Sequence, residues 1–180
     1  MVRTLSIALD WDGVADSKDA WPALDAGLLP FATADTRSTT VFNFSLRQSP
    51  AFDAELARYH GNGRALEGLA SYAARHGWAL SKTLLADAAT GRPAGSSWDD
   101  ASLAWVPSAR PRALKLATAQ MIVDSAVATA STDVVVVFVA DNEGALDLAL
   151  YATDVDDPRV TLVGLHATDG ELVPYGERRL

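Results

Sequence analysis

The chain has 180 residues, of which 49% are hydrophobic and 21% charged, enough apolar material for one sizeable core and too much for a disordered segment. A net charge of −8 argues against coating nucleic acid or an anionic membrane through the overall field. There is no cysteine, and the three histidines (His60, His76, His166) show no paired spacing, so disulfides, thiolate chemistry and a zinc-hydrolase site lack materials. Any metal must be held by oxygen ligands.

The first apolar run, residues 4–9, predicts a strand that ends on Asp10. It is too short for a signal peptide, and no run in the chain approaches the roughly 18–20 apolar residues of a spanning helix. The expectation is a cytoplasmic protein with no membrane partner. A second strand is expected at 41–44, then helices at 51–60 and 64–76, the latter placing Leu66, Leu69, Tyr72 and Ala73 at helical spacing and stopping on Gly77. A further strand is expected at 78–85. Residues 86–111 break the pattern with Gly, Pro, Ser and two Trp, and read as an irregular loop insertion. A long helix follows at 113–130, then a strand at 134–139, a helix at 144–152 and a strand at 160–165.

The run VVVVFVA is continuous rather than alternating, which suits a strand covered on both faces. Strands alternating with helices predict a single domain over residues 1–180: a three-layer α/β/α sandwich whose mainly parallel central sheet has about five strands. Ligands of such sheets sit at the carboxyl ends of the strands. Charge is uneven along the chain. Between Arg37 and Lys115 there are 10 basic and 6 acidic side chains, leaving the acidic excess to the flanks.

Asp10 closes the first strand and Asp141 the longest one. Two carboxylates at the carboxyl ends of parallel strands converge on one sheet edge, where a hydrated Mg²⁺ or Mn²⁺ can bridge them. Asp12 and Glu143 each follow at two residues. Asp124 interrupts a helix apolar on nearly every side, where an ionised carboxylate calls for a partner or a metal. The plainer alternative puts Asp124 on the helix's one wet edge beside Gln120.

These motifs resemble the NYN family of PIN-like ribonucleases. ALDWDGV is similar to its opening strand and D-x-x-N element, with Asp10 in place and Gly13 at the Asn position; KLATAQMIVD, from Lys115 to Asp124, is similar to its Lys-led helix; STDVVVVFVADNEG is similar to its S-G-D-S-D-F strand end. LASYAARHGWAL suits the connecting strand. The resemblance implies a PIN-like fold and a metal-dependent ribonuclease acting on single-stranded RNA. Its catalytic and metal-binding residues are then Asp10, Asp124, Asp141 and Glu143, with Mg²⁺ or Mn²⁺ as cofactor and Lys115, Arg112 and Asn142 near the substrate. Gly13, Thr118 and Glu143 depart from the family pattern and imply a weakened activity. RNA is held by basic side chains and aromatic stacking, for which Arg47, Arg92, Arg110, Arg112, Trp98 and Trp105 are candidates. A homodimer is a further expectation.

Two alternatives stay open. Asp10-Trp-Asp12-Gly-Val also resembles the D-x-D-G-[TV] opening of haloacid-dehalogenase-type phosphatases, which makes Asp10 a nucleophile and Asp12 a general acid and base, with Ser45, Lys115 and Asp141 in the remaining motifs. That reading leaves Asp124 without a role. The other alternative is a non-catalytic PIN-like module that binds RNA or a protein. The position of Asp124 relative to Asp10 and Asp141 separates nuclease from phosphatase.

Overall fold

The computed structural model describes residues 2–11, 13–45, 65–81, 96–99, 104–107 and 111–180. The elements in chain order are β1 (Arg3–Leu9), a 3₁₀ turn (Lys18–Ala20), α1 (Trp21–Leu28), β2 (Thr36–Asn43), α2 (Ala65–Arg75), β3 (Ala79–Leu80), β4 (Ser96–Asp99), β5 (Ala104–Pro107), α3 (Pro111–Thr129), β6 (Asp133–Ala140), α4 (Glu143–Asp147) running into a π turn (Leu148–Ala152), β7 (Val160–Thr168) and β8 (Glu171–Arg179). The main sheet has the order β3-β2-β1-β6-β7-β8, parallel except for β8, which returns antiparallel to β7.

The alternation of side chains along β6 explains its continuous apolar run. Val135, Val137 and Val139 pack on one face with Leu24 and Leu28 of α1 and Leu69 and Tyr72 of α2. Val134, Val136, Phe138 and Ala140 pack on the other with Ile122 and Val123 of α3 and Leu146 beyond β6. Each face of the central strand is therefore sealed by helices, the arrangement that suits a parallel sheet.

The sheet has six strands, one more than expected. β8 carries Pro174, which cannot donate to a ladder and reads as a strand breaker; it is tolerated on an edge strand, where the β7–β8 register also shifts at Gly164/Leu165. The expected irregular insertion at 86–111 contains an antiparallel hairpin, β4–β5, with Trp98 opposite Trp105. β2 starts five residues before the expected 41–44, since its polar first half, Thr36–Thr40, pairs with β1 all the same. α1 escapes the sequence pattern because only Leu24 and Leu28 of its eight residues are buried. The expected helix at 51–60 lies outside the described residues. Among the described residues no helix is long and apolar enough to cross a membrane.

Two contacts fix the helices on the first face. Gly68 of α2 lies so close to Trp11 that a Cβ there would fall inside the indole ring, so a helix-weakening glycine is kept to admit the bulky side chain that follows Asp10. Asp25 of α1 accepts hydrogen bonds from Tyr72 Oη (2.9 Å) and bonds His76 Nε2 (2.9 Å), while its second oxygen pairs with Arg75 (3.0 Å). Burial, followed by the bond to Asp25, pushes the Tyr72 phenol well above its ordinary value near 10. A raised folded-state value means that Tyr72 favours folding below the unfolded value and opposes it as pH rises above about 10, where the unfolded phenol ionises first. Tyr72 should therefore contribute a loss of about 1.4 kcal/mol of stability per pH unit there. Urea midpoints from pH 9 to 11 should fall more steeply in the wild type than in Tyr72→Phe; parallel slopes would contradict this.

Candidate active site

The parallel register brings three strand ends to one edge. Leu9 pairs with Asn43 on one side and Val139 on the other. Just past the ladder, the Asp10 N–H donates to Val139 O (3.0 Å) and the Phe44 N–H to Leu9 O (2.8 Å). Asp10 thus leaves the sheet at the crevice between β2 and β6, where ligands of open α/β sheets bind.

Its carboxylate is held from two sides. Oδ1 accepts from the Trp11 N–H at 2.9 Å, and Oδ2 accepts from Lys115 Nζ at 2.5 Å. Lys115 comes from the first turns of α3 and is itself buried; its ammonium also donates to Phe44 O at 2.6 Å and lies 4.0 Å from the Phe44 ring centroid. Burial pushes the Asp10 carboxyl above the usual carboxylate value, the Lys115 charge and hydrogen bond and the Trp11 N–H pull it down, and the Asp141 charge pushes it up. The Lys115 cation opposes the effect of burial and favours the ionised carboxylate, the state in which it is a nucleophile or a metal ligand.

After Asp10 the chain makes a tight turn in which the N–H groups of Val14, Ala15 and Asp16 all converge on Trp11 O at 3.0–3.2 Å. Gly13 in this turn has φ +70°, and a Cβ there would lie 2.6 Å from Asp141 Oδ2. The Gly13 position is therefore reserved twice, by its backbone conformation and by the carboxylate seated on it. An Asn at position 13, as in the D-x-x-N pattern, would displace Asp141. Gly13→Ala should add about 1–2 kcal/mol of backbone strain and push against Asp141; the urea unfolding midpoint should fall accordingly, and an unchanged midpoint would contradict the contact.

The other predicted residues divide. Asn142 caps α4, accepting from the Ala145 N–H at 3.1 Å. Glu143 is exposed, with Oε1 3.9 Å from His166 Nδ1. Arg112 is exposed at the start of α3. Asp124 is not brought to the edge: its Oδ1 accepts from Gln120 Nε2 (2.9 Å), and Gln120 grips the Asp154 backbone through both its N–H (2.7 Å) and its carbonyl (2.8 Å). Nine residues beyond Lys115, Asp124 lies about 13 Å further along the helix and on its opposite side. It occupies the wet edge of α3, the plainer of the two expectations. Among the described residues no three Asp, Glu or His side chains form a group able to hold a metal ion. Asp12, Arg47, Arg92 and Arg110 lie outside the described residues.

Ser45, just past β2, is buried, with its N–H donating to Asn43 Oδ1 at 3.0 Å. His166 is a participant the sequence did not flag. It lies opposite Ala140 in the β6–β7 ladder and bonds Asp141 O through Nε2 at 3.1 Å. Nothing in its spacing announces this, since the contact exists only once β6 and β7 are paired. No family model, curated protein or solved structure matches the chain.

Proposed function

We propose that the protein is a Mg²⁺-dependent phosphohydrolase of the haloacid-dehalogenase type, acting on small phosphate monoesters with Asp10 as the nucleophile. The observation that carries this reading is the Lys115–Asp10 ion pair beside Asp141 at the carboxyl edge of β1 and β6. The D-x-D-G-V resemblance assigns a lysine and a second acidic residue to the same site as the nucleophile, and Gly13 fits the glycine of that motif. The PIN-like ribonuclease reading shares Asp10, Asp141 and the metal, but also calls on Asp124, which α3 carries to its opposite side.

The donor set suits Mg²⁺, which is commonly bound by one or two carboxylates with water and phosphate oxygens completing the shell. Asp10 and Asp141 would hold it, and it would supply charge neutralisation for the phosphate. The remaining work falls to this chain. A carboxylate oxygen of Asp10 forms a bond to phosphorus as the bond from phosphorus to the leaving oxygen breaks, and Asp12, by resemblance, gives that oxygen a proton. Water then attacks the phosphorus, losing its proton to Asp12, and the phosphorus–Asp10 bond breaks to regenerate the carboxylate. Lys115 stays charged throughout, offsetting the phosphate's negative charge and holding Asp10 in line.

Release of phosphate from p-nitrophenyl phosphate in Mg²⁺ tests the reading. Cleavage of single-stranded RNA abolished by Asp141→Asn, without phosphatase activity, would return the choice to the ribonuclease. No turnover of either, with RNA or protein binding retained, would favour the binding module.

A further inference from the structure

β6 ends at Ala140, and its ladder with β7 ends there too, opposite His166. One residue further, the Asp141 carbonyl has passed the last strand rung, and the His166 ring takes over. A carbonyl oxygen only accepts, so the 3.1 Å contact requires the proton on Nε2, which makes His166 the donor. The bond extends the ladder by one side-chain rung at the residue whose carboxylate is seated against Gly13.

The rung is braced from behind. Tyr175 of β8 meets the His166 ring edge-on, with centroids 6.4 Å apart. The Tyr175 hydroxyl donates to Asp147 Oδ1 at 2.7 Å, and Asp147 is the last residue of α4. That helix starts directly after Asn142, whose side chain caps it. The chain from Asp141 to Asp147 is therefore clasped at both ends by β7 and β8: at its start by His166, at its finish by Tyr175. With the Asp141 carbonyl held, the next residue tied down as the cap of α4 and the carboxylate backed by Gly13, Asp141 has little freedom to turn away from Asp10.

We propose that His166 is a positioning residue that fixes the Asp141 carboxylate and thereby sets the affinity of the Asp10–Asp141 pair for a divalent cation. The proposal rests on the metal site of the phosphohydrolase reading but not on the substrate. Partners one step removed from a metal typically change its affinity 10–100-fold when lost. The Tyr175 hydroxyl holds the far end of the same segment through Asp147, so its loss should act in the same direction with a smaller effect.

Titration calorimetry with Mn²⁺ on the whole chain tests this without turnover. His166→Ala should weaken Mn²⁺ binding by about 10–100-fold, His166→Gln, whose amide N–H can still reach the carbonyl, should recover most of it, and Tyr175→Phe should weaken it a few-fold. Asp141→Asn should abolish it. Thermal melts of each variant separate loss of the site from loss of the fold. If His166→Ala is folded and binds as tightly as the wild type, or if the Ala and Gln variants lose affinity equally, the role of His166 is overturned while the metal site stands. If His166→Ala does not fold, unchanged binding by Tyr175→Phe overturns the proposal. If the wild type binds no Mn²⁺, or Asp141→Asn binds as the wild type does, the metal site falls and the proposal with it.

Discussion

Asp10→Asn should reduce hydrolysis of p-nitrophenyl phosphate by at least about a thousandfold, a loss of about 4 kcal/mol in transition-state stabilisation. An amide is a poor nucleophile toward phosphorus, and the step that needs it has no substitute on the described edge: Asp141 is backed against Gly13, and Lys115 is a cation. The loss should exceed any structural effect. An Asn at position 10 has one acceptor oxygen where Asp10 uses two, so it keeps either the Lys115 or the Trp11 N–H bond and leaves the buried Lys115 without its counter-charge; the melting temperature should fall, and the rates are compared well below it, where both proteins are folded. Asp10→Glu should fail nearly as badly, because one added methylene shifts the reacting oxygen by about 1 Å, enough to lose the aligned geometry. A direct readout accompanies the rate. Borohydride reduction during turnover should trap an acyl phosphate on the peptide containing Asp10. Rapid turnover with no trapped peptide, or activity surviving in Asp10→Asn, would remove Asp10 from the nucleophile role and leave water as the attacking group.

The sheet was legible where burial alone decides the pattern. The Val134–Val139 run can only be a strand covered on both faces, and Asp10 and Asp141 stand out because a charge immediately after such a run must leave the sheet at its carboxyl edge. The parts that stayed hidden depend on pairing. β8 looks broken by Pro174 until its edge position is known, and His166 is an ordinary strand residue until β6 lies beside it. The Lys115–Asp10 pair joins residues 105 positions apart, so only the docking of α3 against the sheet at β6 creates it. Asp124 is instructive for a different reason. A helix apolar on nearly every side hides which face is wet, yet the spacing itself was informative: nine residues place Asp124 on the side of the helix opposite Lys115, so one helix cannot bring both to a single site. Helical phase outweighs the count of acidic residues.

Lys115→Met should separate the two jobs of the ammonium, holding the fold and holding Asp10 ionised. Methionine preserves the stem's packing over Phe44 but leaves Asp10 buried with no cation, and breaking one side of a buried pair costs about 3–5 kcal/mol. The pH dependence identifies where that cost comes from. Burial already raises the Asp10 carboxyl, and without Lys115 its folded-state value rises further. A raised carboxyl favours folding below its unfolded value near 4 and loses that contribution as pH climbs through the folded value. The deficit of Lys115→Met against wild type, measured by urea unfolding in metal-free buffer, should therefore be greatest near neutrality and shrink toward pH 4–5, where Asp10 takes up a proton instead of bearing an unpaired charge. A deficit independent of pH would mean that the lost bond to Phe44 O and the packing carry the effect, and that Asp10 does not depend on Lys115 for its charge. Activity should fall at neutral pH in the same variant, because the ionised fraction of Asp10, the form that attacks phosphorus and holds Mg²⁺, shrinks as its carboxyl rises. Adding Mg²⁺ in excess should restore part of the stability at pH 7 by replacing the missing cation beside Asp10 and Asp141, and little at pH 4, where the proton has already done so.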